Sequence, residues 1–288
     1  MNPAGFIYLL LSVSCALLIA HFLKVVESRG LDTLKVLTVN YFIAVTVAIL
    51  INVLSNQSFL PGFPLWIWIM AVVVGFIFIA NLFVYSKSIY DNGVGVSVAA
   101  MRLSLLIPVA LSIVWYSEVL TPLRIMGIIL VIISLLLLVA SRWNVQIRKL
   151  NSHWLLILLF LMTGIADGSK KVFEQEGLAT ATEAHFMGVV FLSSFIVGLA
   201  MVLYRGIDGF SYEHVKLGTA VGIPNLLTSV FLIKALQFAD GTVIYSAINI
   251  LIVVGGALIG KFYWQDKITR MQLIGMGLAI IAILILID

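Results

Sequence analysis

Almost every apolar stretch in this 288-residue chain is about twenty residues long, the length an α-helix needs to cross roughly 30 Å of hydrocarbon at ~1.5 Å per residue. Of its residues 62% are hydrophobic and 10% charged, whereas soluble domains run near about one quarter charged. That is too little charge to cover a water-facing surface. The sequence therefore predicts an all-α, polytopic membrane protein.

Ten transmembrane helices are expected, at about 4–26, 34–54, 65–86, 94–117, 122–141, 153–173, 183–204, 215–237, 242–264 and 269–287. The connectors are short, and none can hold a soluble domain. Pro61 and Pro64 mark one loop, and RWNVQIRKLNSH (Arg142–His153) marks the midpoint. Thr121 followed by Pro122 suits an N-cap and first helical position, and Thr269 is placed to cap the last span. The N-terminus lacks a basic n-region and its apolar run exceeds a signal-peptide core, so an uncleaved first span is expected.

Composition also excludes several classes. Cys15 is the single cysteine and sits mid-span, which rules out a disulfide, a CxxC redox pair or a cysteine zinc site within one chain. The net charge of +4 comes largely from loop Lys and Arg and reads as topology anchoring. No nucleic-acid partner is expected, because no basic cluster accompanies a water-soluble domain.

An internal repeat gives the organisation. Gly93, Thr121 and Gly127 recur as Gly241, Thr269 and Gly275, each 148 positions later, and at the same offset Glu118 falls on Asp266, Ala99 on Ala247 and Leu103 on Leu251. KVVESRGL (Lys24–Leu31) recurs as KVFEQEGL (Lys171–Leu178) at an offset of 147. Charged and glycine matches at a near-constant offset are not cheap, whereas apolar ones would be. Two five-helix repeats are expected, 1–145 and 146–288, forming one transport domain. An odd number of spans makes the second repeat inverted, so Glu118 and Asp266 become pseudo-symmetric loop acids at opposite membrane surfaces. Inverted repeats are the common construction of secondary transporters, with the substrate near the midplane.

At these residues the chain resembles the drug/metabolite transporter superfamily, in particular its ten-helix EamA-type branch. PVALSIVWYSEVLTPLRIMGIILVIISLLLL (Pro108–Leu138) fits the family's ending of proline, apolar run, acid, short turn, Thr or Ser, glycine and apolar run. GGALIGKFYWQDKITRMQLIGMGLAIIAILIL (Gly255–Leu286) fits without the proline, and with Gln265-Asp266 where Gly-Glu is common. YSKSIYDNGVGVSVAA and IKALQFADGTVIYSAI are similar to the connections before the fourth and ninth helices. The first and sixth spans match poorly, and Asn40 stands about where an Arg often begins the second. The resemblance implies a transporter of small metabolites working by alternating access. It names no substrate.

An ionisable residue inside a span costs at least a few kcal/mol on insertion scales and so marks a functional position by default. Arg102 lies within the fourth span, Asp167 in the deeper part of the sixth and His21 in the outer part of the first. On the functional reading Arg102 holds an anionic group of the substrate and Asp167 takes an amine or a proton. The alternative pairs Arg102 with a helix end or with Asp167, while Lys24, Lys170 and Lys171 snorkel. His21 is either a second proton carrier or a hydrogen-bonded packing residue. Asn81 with Tyr85, and Tyr245 with Asn249, share helix faces at i, i+4 and would line the same chamber, as would Asn225 beside Pro224. The same amides and phenols also serve as bonds between helices. Trp66, Trp68 and Trp154 read as interface-belt residues. The pairs Gly218/Gly222 and Gly256/Gly260 read as close-packing positions.

No catalytic layout such as Ser-His-Asp or HExxH is present in the sequence, and neither an enzyme nor a cofactor is expected. The expectation is a monomeric secondary transporter in the lipid bilayer, placed in a bacterial inner membrane. It would export or exchange a small polar metabolite such as an amino acid, with the proton as a candidate coupling ion that the sequence does not fix. A lipid-modifying membrane enzyme and a non-transporting scaffold are the rival classes. Lys and Arg concentrate in the loops after the odd-numbered spans, which by the positive-inside rule puts both termini outside. The family is commonly drawn with both inside.

Overall fold

A computed structural model describes residues 2–140, 152–265 and 268–287 of the chain. These residues form α1 (Pro3–Ser28), α2 (Thr33–Leu54), α3 (Leu65–Asn92), α4 (Val94–Leu103), α5 (Leu106–Val114), α6 (Pro122–Ala140), α7 (His153–Val172), a π-helical turn (Phe173–Gly177), α8 (Glu183–Arg205), α9 (Tyr212–Leu236), α10 (Gly241–Phe262) and α11 (Arg270–Ile287). No strand occurs among the described residues. The protein is all-α. Seven helical segments are long and apolar enough to cross a bilayer, α4 and α5 counting as one, and two further apolar helices are shorter. Several apolar helices of spanning length make this an integral membrane protein.

Local chemistry explains where the helices begin. Asp32 precedes α2 and accepts from the Leu34 amide at 2.9 Å. Thr121 accepts from the Arg124 amide at 3.2 Å and α6 opens at Pro122, while Thr269 and Gln272 exchange bonds of 2.9 and 3.3 Å ahead of α11. Both threonine caps are where the sequence placed them. At α8 a histidine takes the usual glutamate role: the Thr182 amide donates to His185 Nδ1 at 3.3 Å, and Thr182 Oγ1 accepts from the His185 amide.

The fourth segment departs from the expectation of one continuous helix over 94–117. It divides between Ser104 and Leu105, and helix ends at Val114. Pro108 supplies the reason. A helix would need the Pro108 amide to bond the Ser104 carbonyl, and proline has no N–H. The Ser104 carbonyl instead accepts from Ile107 at 3.0 Å, a tightened i→i+3 turn that keeps right-handed helical angles at Ser104 and Leu105. Helix α3 also runs on to Asn92, beyond the expected end near 86, and its last turns carry a Lys87–Asp91 ion pair of 3.2 Å at i, i+4.

The chain divides into two compact units. Unit 1 comprises Met1–Phe6, Ala80–Lys171 and Leu236–Asp288; unit 2 comprises Ile7–Ile79 and Val172–Ala235. Each draws helices from both sequence halves.

In unit 1, α6 and α11 pack antiparallel. A methyl group at Gly127, early in α6, would lie 2.8 Å from Leu286 near the end of α11, and one at Gly275, early in α11, would lie 2.9 Å from Leu138 near the end of α6. These two contacts interchange at the 148-residue offset. Ser134 Oγ adds a bond to the Gly275 carbonyl at 2.7 Å.

In unit 2, α2 and α8 are likewise antiparallel. Thr182 Oγ1 donates to Asn52 Oδ1 at 2.7 Å at one end, and Gly198 lies against Thr38 at the other. Gly222 of α9 presses on Ile43 and Asn40 of α2, and Gly75 of α3 presses on Val190 and Ser193 of α8. Gly75 with Val190 and Gly222 with Ile43 are again related, here by 147 positions. After α7, Gly177 leaves room for the Phe173 ring to fold over the π-turn and stack on Phe186 at 4.4 Å and 8°.

Candidate functional site: a polar cluster in unit 1

The first ten residues of α10, Gly241–Ile250, are all buried, and α10 packs against α5, α6 and α11. Tyr245 and Asn249 therefore project from a helix with no water on any side. The Asn249 amide donates to the Tyr245 carbonyl at 3.0 Å, which leaves its oxygen to accept from Arg102 Nη1 at 3.5 Å. The Tyr245 hydroxyl donates to the Asp167 carbonyl on α7 at 2.9 Å. The Asp167 carboxylate accepts from Lys170 at 2.8 Å, one turn on, and both side chains are mostly buried.

Arg102 sits in the last turn of α4, just before the tightened turn, where the carbonyl-rich helix end favours a cation. Asp167 and Tyr85 both lie within electrostatic range of its guanidinium. Among the described residues no carboxylate comes within ion-pair distance of Arg102. On α3, one turn before Tyr85, Asn81 donates to Thr163 of α7 at 3.2 Å, and its carbonyl oxygen is buried without a partner among the described residues. The expected residues Arg102, Asn81, Tyr85, Tyr245, Asn249 and Asp167 thus all belong to unit 1, on α3, α4, α7 and α10. The other two belong to unit 2, where Asn225 donates to Asn40 Oδ1 at 3.0 Å and the His21 ring meets Phe22 edge-on.

A second charged group lies in the same unit. Glu118, in the α5–α6 connection, accepts from the Gly241 and Thr242 amides at 2.7 and 2.9 Å, capping α10 from outside its own sequence neighbourhood. Lys171 Nζ stands 3.2 Å from the same carboxylate, and the two side chains are 3% and 8% exposed (Lys171, Glu118). Burial pushes the Glu118 carboxyl upward. The two backbone donors and the Lys171 ammonium more than offset that, so the group titrates below the usual carboxylate range. Gly241 makes the arrangement possible, because a side chain there would collide with Ser112 Oγ. Beside it Arg124 bonds Asp240, the residue before α10, at 2.6 Å, and the Val119 carbonyl at 3.0 Å.

Three sequence readings change here. Lys170 and Lys171 do not snorkel; both are buried and ion-paired, because each finds a carboxylate within its unit. Asp167 is engaged by Lys170, which leaves Arg102 to a neutral amide. Gly256 has open space around it and is not a close-packing position, whereas Gly218 and Gly222 pack against Val39, Asn40 and Ile43. Asp266, the expected mate of Glu118, and most of Arg142–His153 lie outside the described residues. The sequence reading named Lys171 but missed its pairing with Glu118. Nothing in the sequence around Lys171 pointed to Glu118, 53 positions earlier.

No protein-family profile matches the chain. An uncharacterised protein of Haemophilus influenzae is 22% identical over 292 aligned positions, covering 96% of this chain and 95% of that one. A solved crystal structure of a protein superposes with a TM-score of 0.77 at 12% identity, covering 99% of this chain and 96% of its own. The chain is similar to both, and the second likeness is one of fold.

Proposed function

We propose that this protein is a secondary transporter of a small polar metabolite, built as two inverted five-helix repeats of the EamA type and working by alternating access. The observation that carries the reading is Arg102. A guanidinium within an apolar span, bonded only loosely to an amide and placed beside a break in its own helix, is costly for a purely structural element. Broken spans that gather polar groups are a recurring way for transporters to build a substrate site. The antiparallel α6–α11 pair, with contacts that interchange at the repeat offset, supports the inverted arrangement. In this reading Arg102, Asn249, Tyr245, Tyr85 and Asn81 receive the solute, and the tightened turn at Ser104 and Leu105 is where the fourth span bends as access alternates. The cell location that fits is a bacterial inner membrane.

Uptake or efflux in proteoliposomes tests it. Saturable flux of a small polar solute that falls in Arg102→Gln is the expected result. A purified, folded protein with no saturable flux across a broad panel of amino acids, organic acids and nucleosides overturns it and returns the chain to the scaffold class.

A further inference from the structure

We infer that the unit 1 cluster is selective for a solute of net negative charge, a small carboxylate, rather than for a zwitterion or a cation. This rests on the transporter reading for the site's role and deepens it. The argument is a charge balance. Three ionised side chains lie within the cluster: Arg102, Asp167 and Lys170. Asp167 is neutralised by Lys170 at 2.8 Å, and the neighbouring Glu118 is matched by Lys171. Arg102 bonds the neutral Asn249 amide at 3.5 Å, and Asp167, already held by Lys170, is the nearer in effect of the two groups in its electrostatic range, ahead of the Tyr85 phenol. One positive charge is left over.

An uncompensated charge in a low-dielectric interior is costly, and an arriving anion relieves that cost, whereas a zwitterion leaves the surplus and a cation adds to it. A guanidinium also offers a planar fork that fits a carboxylate with two parallel bonds. The amine-binding role that the sequence suggested for Asp167 is taken by Lys170. An amino acid's ammonium would have to displace that lysine, whose own side chain is held inside the unit.

The test uses the full-length protein in detergent, with pyruvate and lactate as monocarboxylates, alanine as zwitterion and ethanolamine as cation. Binding is read by thermal stabilisation across a concentration series, and flux by proteoliposome uptake. Wild type should bind the monocarboxylates at least about tenfold tighter than alanine or ethanolamine, and Arg102→Gln should lose about tenfold or more of that affinity. The decisive pair has opposite signs. Asp167→Asn raises the surplus to two and should tighten carboxylate binding several-fold, while Lys170→Gln cancels the surplus and should weaken it about tenfold. A folding defect would weaken both. Lys170→Arg, which keeps the charge, should behave as wild type.

Preference for alanine or ethanolamine, equal shifts in the two charge variants, or no binding by any probe overturns the inference. Carboxylate binding without saturable flux would sink the transporter reading and leave the charge class standing. Flux of zwitterions alone would do the reverse.

Discussion

In unit 2 the polar side chains inside the helices bond neutral partners, and even the buried Lys35 donates to a backbone carbonyl, that of Asp208. Asn225 meets Asn40, Ser12 Oγ and the Thr228 carbonyl share a 2.7 Å bond, and Ser194 donates to the Gly75 carbonyl at 3.0 Å. Aromatic rings fill the space between them, with Tyr41 against Phe191 and Phe173 against Phe186. Unit 1 places ionised groups in the equivalent interior: Arg102, the Asp167–Lys170 pair and the Glu118–Lys171 pair. Neutral hydrogen bonds between membrane helices are worth about 0.6 kcal/mol each, so unit 2 can be held together by them at little risk. Buried charges are rarely the cheapest way to hold helices together. The buried ion pairs among the described residues both lie in unit 1.

The contrast breaks first at Glu118. Replacing it with Ala takes the carboxylate from a buried Lys171 and uncaps two α10 amides, an expected loss of about 3–5 kcal/mol. Unfolding in detergent should show it. The double variant Glu118→Gln/Lys171→Met should lose clearly less than the two single variants combined, and simple additivity would dissolve the pair.

Glycines sharpen the comparison next. Gly241→Ala in unit 1 and Gly222→Ala in unit 2 each force a side chain into neighbours that cannot give easily, Ser112 beside Glu118 in one case and the Asn40 backbone in the other, and each should cost about 1–3 kcal/mol. Gly256→Ala meets only open space and should be neutral or slightly stabilising. The same melting experiments rank all three.

Smaller in free energy, but more pointed, is the comparison of Arg102→Gln with Asn225→Leu. The first should lower flux about tenfold with little change in stability; the second should cost about 0.6–1.7 kcal/mol in stability and leave flux intact. A matching flux loss in Asn225→Leu would put unit 2 in the solute path and erase the contrast.

The last effect is in the acid limb. Because the folded-state pKa of Glu118 is depressed, its contribution is complete above the ordinary carboxylate range and is lost as pH falls through and below that range. Stability should decline with acidification in wild type and more gently in Glu118→Gln. Parallel curves would remove Glu118 from the cause.

What could be read from the sequence was what is decided locally. Helix positions follow from the length of apolar runs, and Thr121 and Thr269 cap their helices because a cap needs only residues within one turn. Pro108 was in plain view, yet the turn it forces at Ser104 depends on a bond four residues upstream. The partners of Glu118 were not legible. Gly241 lies 123 residues later and Lys171 is 53 away, and nothing in either segment marks the other. Lysines near a helix end usually reach for water, and that general rule failed where folding supplied a carboxylate instead. The cluster around Arg102 was found residue by residue, because each member is conspicuous in an apolar span. Its charge balance was not, since that turns on which lysine reaches Asp167.

The α6–α11 pair, with a glycine notch facing a leucine at each end, is keyed lengthwise. Sliding one helix along the other by a single turn, about 5.4 Å, would drive both leucines out of their notches together. These two helices can tilt or bend as one rod but cannot ratchet past each other. Any larger rearrangement of the molecule has to carry them as a single rigid piece.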